Sequence, residues 1–213
     1  MLTFYDYLPS QNAFKVRLLL SQLRISHDTQ YVSIFSGEGQ TREYRRINPT
    51  GAVPAIRLDD GRVLAESNAI LTFLAEGTGY MPSGPFERAK VNQWLSFEQD
   101  YVQNTIGSLR YWTMTSKLDS RPADLVKSKM ATGIKALTIL DDEFSSKPFI
   151  CGQRYTVADI SLYAYASRAE EAGIALAPFR HFARWVERVE GSPGFVADIH
   201  PYSIDPRSSG ELA

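Results

Sequence analysis

Ser10 stands just ahead of a stretch in which Ala13, Val16, Leu20 and Leu23 recur at helical spacing. Its hydroxyl therefore meets a helix N-terminus, where a donor and the positive end of the helix dipole can together hold a developing negative charge. The same serine can instead do no more than cap the helix. Asn12 brings a second hydrogen-bond donor to this turn. Further along, Asn48-Pro49-Thr50-Gly51 forms a turn that leads into Val53-Pro54 at the opening of a strand. Glu66-Ser67 opens another helical segment, and a serine there offers an anion both its hydroxyl and its backbone N–H, or simply caps the helix. Thr156 and Asp159 have capping-box spacing, with Tyr155 and Ile160 placed as a staple, which is a folding device rather than a chemical one.

Other chemistries are excluded. Cys151 is the only cysteine, so there is no intramolecular disulfide and no thiolate metal cluster, and its distance from the Ser10 turn marks it as an inert buried thiol. His27, His181 and His200 are scattered without ligand spacing, so no metal is expected. Lys and Arg number 23 against 24 Asp and Glu, for a net charge of -1, and no global field draws the chain to nucleic acid or an anionic membrane. The N-terminal residues lack a basic segment followed by an apolar one, and no run long enough to span a bilayer follows. A soluble cytoplasmic protein is expected. Its 213 residues, 44% hydrophobic and 12% aromatic, suffice for one large core or two modest ones.

The elements that position these residues follow from periodicity and breakers. Leu2 to Tyr7 reads as a strand, and the helix beyond it runs to about Arg24 with Lys15 and Arg17 on its solvated side. A strand from His27 to Ser33, a short helix from Thr41 to Ile47, a strand from Ala52 to Leu58 and a hairpin through Asp59-Asp60-Gly61 to Val63–Ala65 come next. A helix from Ser67 ends at Gly77 and Gly79. The order is βαβ, helix, ββ, helix, an α/β domain over residues 1–77. Gly77 to Pro85 holds three glycines and two prolines and reads as a linker, with 78–85 separating the domains. Beyond it strand signals vanish. Helices are expected over Phe86 to Thr115, Pro122 to Phe144, Thr156 to Ala172 and Pro178 to Glu190, an all-α domain spanning 86–200. The Pro- and Ser-rich stretch 201–213 reads as a loosely packed tail.

This layout resembles the cytosolic glutathione transferases over nearly the whole chain. Four motifs carry the likeness: Ser10-Gln11-Asn12-Ala13-Phe14-Lys15-Val16-Arg17, similar to the family's serine-type active-site turn in its bacterial members; Asn48-Pro49-Thr50-Gly51-Ala52-Val53-Pro54, where the family has a cis-proline; Leu64-Ala65-Glu66-Ser67-Asn68-Ala69-Ile70, similar to its Glu-Ser signature; and Thr156-Val157-Ala158-Asp159-Ile160. The resemblance implies a thioredoxin-like first domain that binds glutathione as co-substrate, a helical domain that binds an apolar electrophile, no metal, and a two-fold homodimer with a detoxification role. It assigns thiolate stabilisation to Ser10 or Asn12. Glutathione recognition falls to the Val53 backbone beside Pro54, to Glu66 and Ser67 at the γ-glutamyl end, and to Gln40 near the glycyl end. Arg42, Arg45 and Arg46 are either attractors for the glycyl carboxylate or a solvated face, and Asp100 is a candidate for reaching the γ-glutamyl amine across a dimer. Tyr111, Trp112 and Met114 either line an electrophile pocket or pack the core. A glutathione-dependent peroxidase or disulfide reductase, and a non-catalytic binding protein of the same fold, are the competing readings.

Overall fold

The computed structural model describes residues 1–210. They form two compact units: Met1–Leu74 joined by the described residues from Pro193 onward, and Ala75–Ser192.

The first unit is thioredoxin-like. It contains β1 (Leu2–Asp6), α1 (Gln11–Gln22), β2 (His27–Tyr31), β3 (Ala55–Arg57), β4 (Val63–Ala65) and α2 (Ser67–Ala75). The sheet order is β2-β1-β3-β4, with β1 and β2 parallel and the other pairs antiparallel. A parallel pair needs a crossover, and α1 supplies it. Side chains alternate along β1, so Phe4 enters a core with Ala13, Val16, Leu20, Ile56 and Ile70, while Tyr5 enters a second with Val32, Tyr44 and Ala55. Burial on both faces is why β1 shows no polar alternation.

Several expectations change here. β2 stops at Tyr31, and Ile34 begins a single 3-10 turn, Ile34–Ser36. The helix expected over Thr41 to Ile47 is reduced to the 3-10 turn Tyr44–Arg46. Lys15 and Arg17, expected on the solvated side of α1, are enclosed: Lys15 is fully buried, and Arg17 Nη1 lies 2.6 Å from Asp6 Oδ1 while its Nε lies 3.1 Å from Asp198 Oδ2. Asp6 sits deep enough that burial raises its pKa, against which Arg17 pulls it down. The loose tail expected over 201–213 is also corrected for its described part, residues 201–210: Tyr7 donates to Asp205, Tyr202 packs against the second core and Ser208 is buried, while 211–213 lie outside the described residues. Aromatic and carboxylate groups anchor a segment whose prolines and serines alone suggest loose packing.

The second unit is all-helical: α3 (Pro85–Phe97), a π-helical continuation Glu98–Gly107, α4 (Ser108–Met114), α5 (Ala123–Phe144), α6 (Val157–Ala166) and α7 (Arg180–Glu190). Pro85 takes the first helical position of α3, where its missing N–H costs nothing. The expected single helix from Phe86 to Thr115 thus changes winding twice along its length. The helix expected to reach Ala172 ends at Ala166, and a 3-10 turn, Ala169–Ala172, carries the chain to Gly173 in the left-handed region. At the centre Trp185 stacks on Phe144 with ring centroids 4.6 Å apart. Asp159, fully buried, holds this core to the loop before α6: its Oδ1 accepts from Ile150 N (2.9 Å) and Trp185 Nε1 (3.0 Å), its Oδ2 from Thr156 N (2.9 Å) and Oγ1 (3.2 Å). The capping box is present, with a reach its spacing did not disclose.

Candidate active site

Ser10 is the N-cap of α1. Its N–H donates to Tyr7 O (2.8 Å), closing the turn after β1, and its Oγ accepts from Ala13 N at 3.2 Å. Capping therefore uses the hydroxyl as an acceptor and leaves its proton to donate outward. The first-turn N–H groups of Gln11 and Asn12 lack acceptors within the helix and add partial positive charge at the same point. The two readings of Ser10 are compatible.

In front of this turn lies a cavity of about 200 Å³, lined by Ser10, Gln40, Gly51 and Val53 with the rings of Tyr7 and Tyr202. The Val53–Pro54 peptide is cis. Among the described residues, neither the N–H nor the C=O of Val53 carries a hydrogen bond, so this wall presents an open backbone edge. Gln40 is held by Arg45, whose guanidinium donates to its Oε1. Its loop lies unusually close to the turn before Val53. Gly51 has φ +74° and a Cβ there would sit 2.7 Å from Gly39 O and 2.8 Å from Gln40 Nε2; a Cβ on Gly39 would fall 2.1 Å from Gly51 O. Alanine at Gly51 is accordingly expected to cost about 2–4 kcal/mol, from left-handed strain and displacement of the Gln40 loop. Thermal denaturation reads this directly, and a midpoint within about 1 °C of the parent protein's would show the approach to be unimportant.

At the other end of the turn, Ser67 is the first residue of α2 and nearly buried, and its Oγ donates to Asn12 Oδ1 at 3.2 Å. Glu66, exposed just before it, adopts φ +69°, a conformation costly for a residue with a Cβ. The structure thus brings Ser10, Gln40 and Val53 to one cavity and joins Asn12 to Ser67 by a hydrogen bond, with Pro54 and Glu66 beside them in the chain. Tyr111, Trp112 and Met114 lie on α4 of the second unit. Lys117 Nζ donates to Tyr111 Oη (2.9 Å), and the Trp112 ring is faced by Arg121 and Lys129. Cys151 is half-buried, its thiol pushed up to about 11 first by burial and then by the Asp159 charge, so it stays protonated near neutrality. Among the described residues, no group of His, Cys, Asp and Glu is placed to hold a metal ion, and no helix is long and apolar enough to cross a membrane.

The sequence did not single out Tyr7, Tyr202 or Asp205. Tyr7 Oη donates to Asp205 Oδ2 at 2.9 Å, and the Tyr7, Phe35 and Tyr202 rings pack together at 6.0–6.4 Å. A second cavity of about 340 Å³ shares Tyr7; Leu8, Pro9, Val32, Ile204 and Pro206 give it a largely apolar wall, and Ser33, Glu38 and Asp205 add polar groups. The only signal for these tail residues was aromatic and aliphatic side chains set among prolines.

Residues 9–76 match the family model for the glutathione S-transferase N-terminal domain, and residues 104–193 match that for the C-terminal domain. The chain belongs to the glutathione S-transferase family. A glutathione S-transferase of Pseudomonas fluorescens Pf-5 superposes with a TM-score of 0.90 at 34% identity, covering 93% of this chain and 99% of that one. Glutathione S-transferase 2 of Anopheles gambiae is 27% identical over 93% of this chain and 95% of its own. The disulfide-bond oxidoreductase YfcG of Escherichia coli K12 is also 27% identical, over 88% and 89% respectively. Membership in the glutathione S-transferase family accounts for the pairing of a thioredoxin-like unit with a helical one.

Proposed function

We propose that this family member binds glutathione in the cavity before α1 and activates its thiol for attack on apolar electrophiles. The observation that carries the reading is Ser10: its oxygen caps α1 while its proton stays available on the wall of a cavity bordered by the open backbone of Val53. A glutathione thiol with an ordinary cysteine pKa of about 8.5 is mostly protonated at pH 7. The Ser10 hydroxyl and the α1 N-terminus stabilise the thiolate selectively. Glutathione is bound in solved structures that share the fold.

Val53 pairs with the cysteinyl backbone of glutathione as an added strand edge. Ser67 and the N-terminus of α2 hold the γ-glutamyl carboxylate, with Glu66 at the polar groups beside it. Gln40, fixed by Arg45, meets the glycyl end. The second cavity, which shares Tyr7 with the first and has a largely apolar wall, accepts the electrophile. The protein acts in the cytoplasm as a two-fold homodimer, in detoxification.

Reduction of glutathione mixed disulfides is a second reading, favoured by the E. coli oxidoreductase relative at the same identity as the insect transferase. The same thiolate would then attack sulfur rather than carbon. An ultraviolet titration of bound glutathione is expected to place its thiol at least one unit below the free value, about 1.4 kcal/mol of selective stabilisation. Turnover of an aromatic halide faster than of a mixed disulfide selects conjugation, and the reverse order selects reduction. Binding without any thiol shift would leave a non-catalytic binding protein.

A further inference from the structure

Lys15 is a cation in the second turn of α1 with no solvent exposure, and its Nζ lies 3.5 Å from the hydroxyl of Ser67. A lysine that can reach water normally keeps its ammonium there, because desolvating the charge is expensive. Here the stem runs inward instead, toward the first residue of α2. Ser67 is 4% exposed and already donates its proton to Asn12 Oδ1. The ammonium has only protons to give and Ser67 Oγ has lone pairs left to receive one, so the polarity of the contact is fixed as Lys15 to Ser67.

We propose that Lys15 is the positioning charge of the carboxylate subsite, tuning the site for thiol peptides whose first residue is γ-linked and presents a free α-carboxylate. This rests on the assignment of Ser67 to the γ-glutamyl carboxylate. When that carboxylate arrives, the Ser67 proton turns from Asn12 Oδ1 to the ligand while Lys15 remains behind the same oxygen. Lys15 then polarises the donor and offsets the ligand's charge from inside the protein, where low dielectric makes both effects stronger than at the surface. The N-terminus of α2 and a buried ammonium thus converge on one anion from two directions. A peptide linked through its α-carboxyl, or one with that carboxylate capped, gains nothing from the cation and is discriminated against.

The test compares glutathione with glutathione α-amide, in which the γ-glutamyl carboxylate is a carboxamide, on the parent protein and on Lys15→Met and Lys15→Arg. The parent is expected to prefer glutathione in kcat/KM by about 30-fold or more. Lys15→Met is expected to lose at least tenfold of that preference, about 1.4 kcal/mol, through KM for glutathione, with little change for the amide and with the thiol pKa of bound glutathione retained. Lys15→Arg is expected to restore part of the preference. A parent protein that does not distinguish the two ligands overturns the Ser67 assignment itself. A distinguishing parent whose preference survives in Lys15→Met overturns the role of Lys15 alone. If Lys15→Met does not fold, nuclear magnetic resonance of the lysine side chains in the parent decides, with Lys15 assigned through the Arg variant. Its Cε and Nζ signals are expected to shift with glutathione and much less with the amide, and equal shifts overturn the proposal.

Discussion

Alanine at position 10 is expected to lower kcat/KM for glutathione conjugation by about 10- to 300-fold, or about 1.4–3.4 kcal/mol of transition-state stabilisation. The Ser10 hydroxyl faces the cavity with its proton uncommitted, and the charge it meets is larger on sulfur as the thiolate develops than in the bound thiol. The same substitution removes an N-cap, costing about 1 kcal/mol of stability. Ser10→Thr, which keeps cap and donor, separates the two effects. Asn12→Ala is expected to have the smaller effect, about 3- to 10-fold, because its Oδ1 is engaged by Ser67 and it does not line the cavity. Steady-state kinetics with an aromatic halide, paired with the thiol titration, reads both. Conjugation rates unchanged in Ser10→Ala and in Asn12→Ala alike would remove the mechanism.

The largest stability effect is expected at Asp159. Alanine there strips the acceptor from Ile150 N, Thr156 N and Trp185 Nε1 within a fully buried environment, and about 3–5 kcal/mol should be lost. For a chain of this size that is a fall of about 10 °C or more in the melting midpoint. A fall of less than about 3 °C would mean that relaxation or water replaces the carboxylate. Asparagine at the same position tests its titration. Burial pushes the Asp159 carboxyl up to about 6 from an ordinary 3.8, with the four donors pulling the other way. The folded state therefore binds the proton more tightly than the unfolded chain. That contribution is complete below pH 3.8 and disappears as pH rises through 6, a change of about 3 kcal/mol across the window. In Asp159→Asn that part of the pH dependence is expected to vanish, which denaturant melts at pH 4 and pH 7 measure. An unchanged slope would assign the dependence to other carboxylates.

Local rules made some of this molecule legible and long-range packing hid the rest. The Thr156-to-Asp159 spacing announced a cap because both partners lie within one turn. That the same carboxylate also accepts from Trp185, 26 residues on, is a property of α7 packing that no spacing encodes. Ser10 was readable as an N-cap for the same local reason. Lys15 was misplaced because helical period gives a residue's angle around the axis and not what covers that angle. A lysine between two apolar positions reads as solvated until α2 is seen to close over it. The changes of winding through Glu98–Gly107 left no trace, since apolar residues three or four apart fit either helix. The tail failed differently. Composition reports the average tendency of a segment to pack loosely, and two well-anchored side chains, Tyr202 and Asp205, overrule it.

Tyr7 donates to a carboxylate 198 positions away, and Tyr202 supplies part of the wall that faces Ser10. A chain emerging from the ribosome N-terminus first makes its four-stranded sheet long before residue 202 exists. The cavity can therefore be finished only after the helical unit has been synthesised, and a truncated or stalled product would carry a folded sheet with an unclosed pocket. Joining residues on either side of the helical unit in one wall makes synthesis past that unit a condition for a closed cavity.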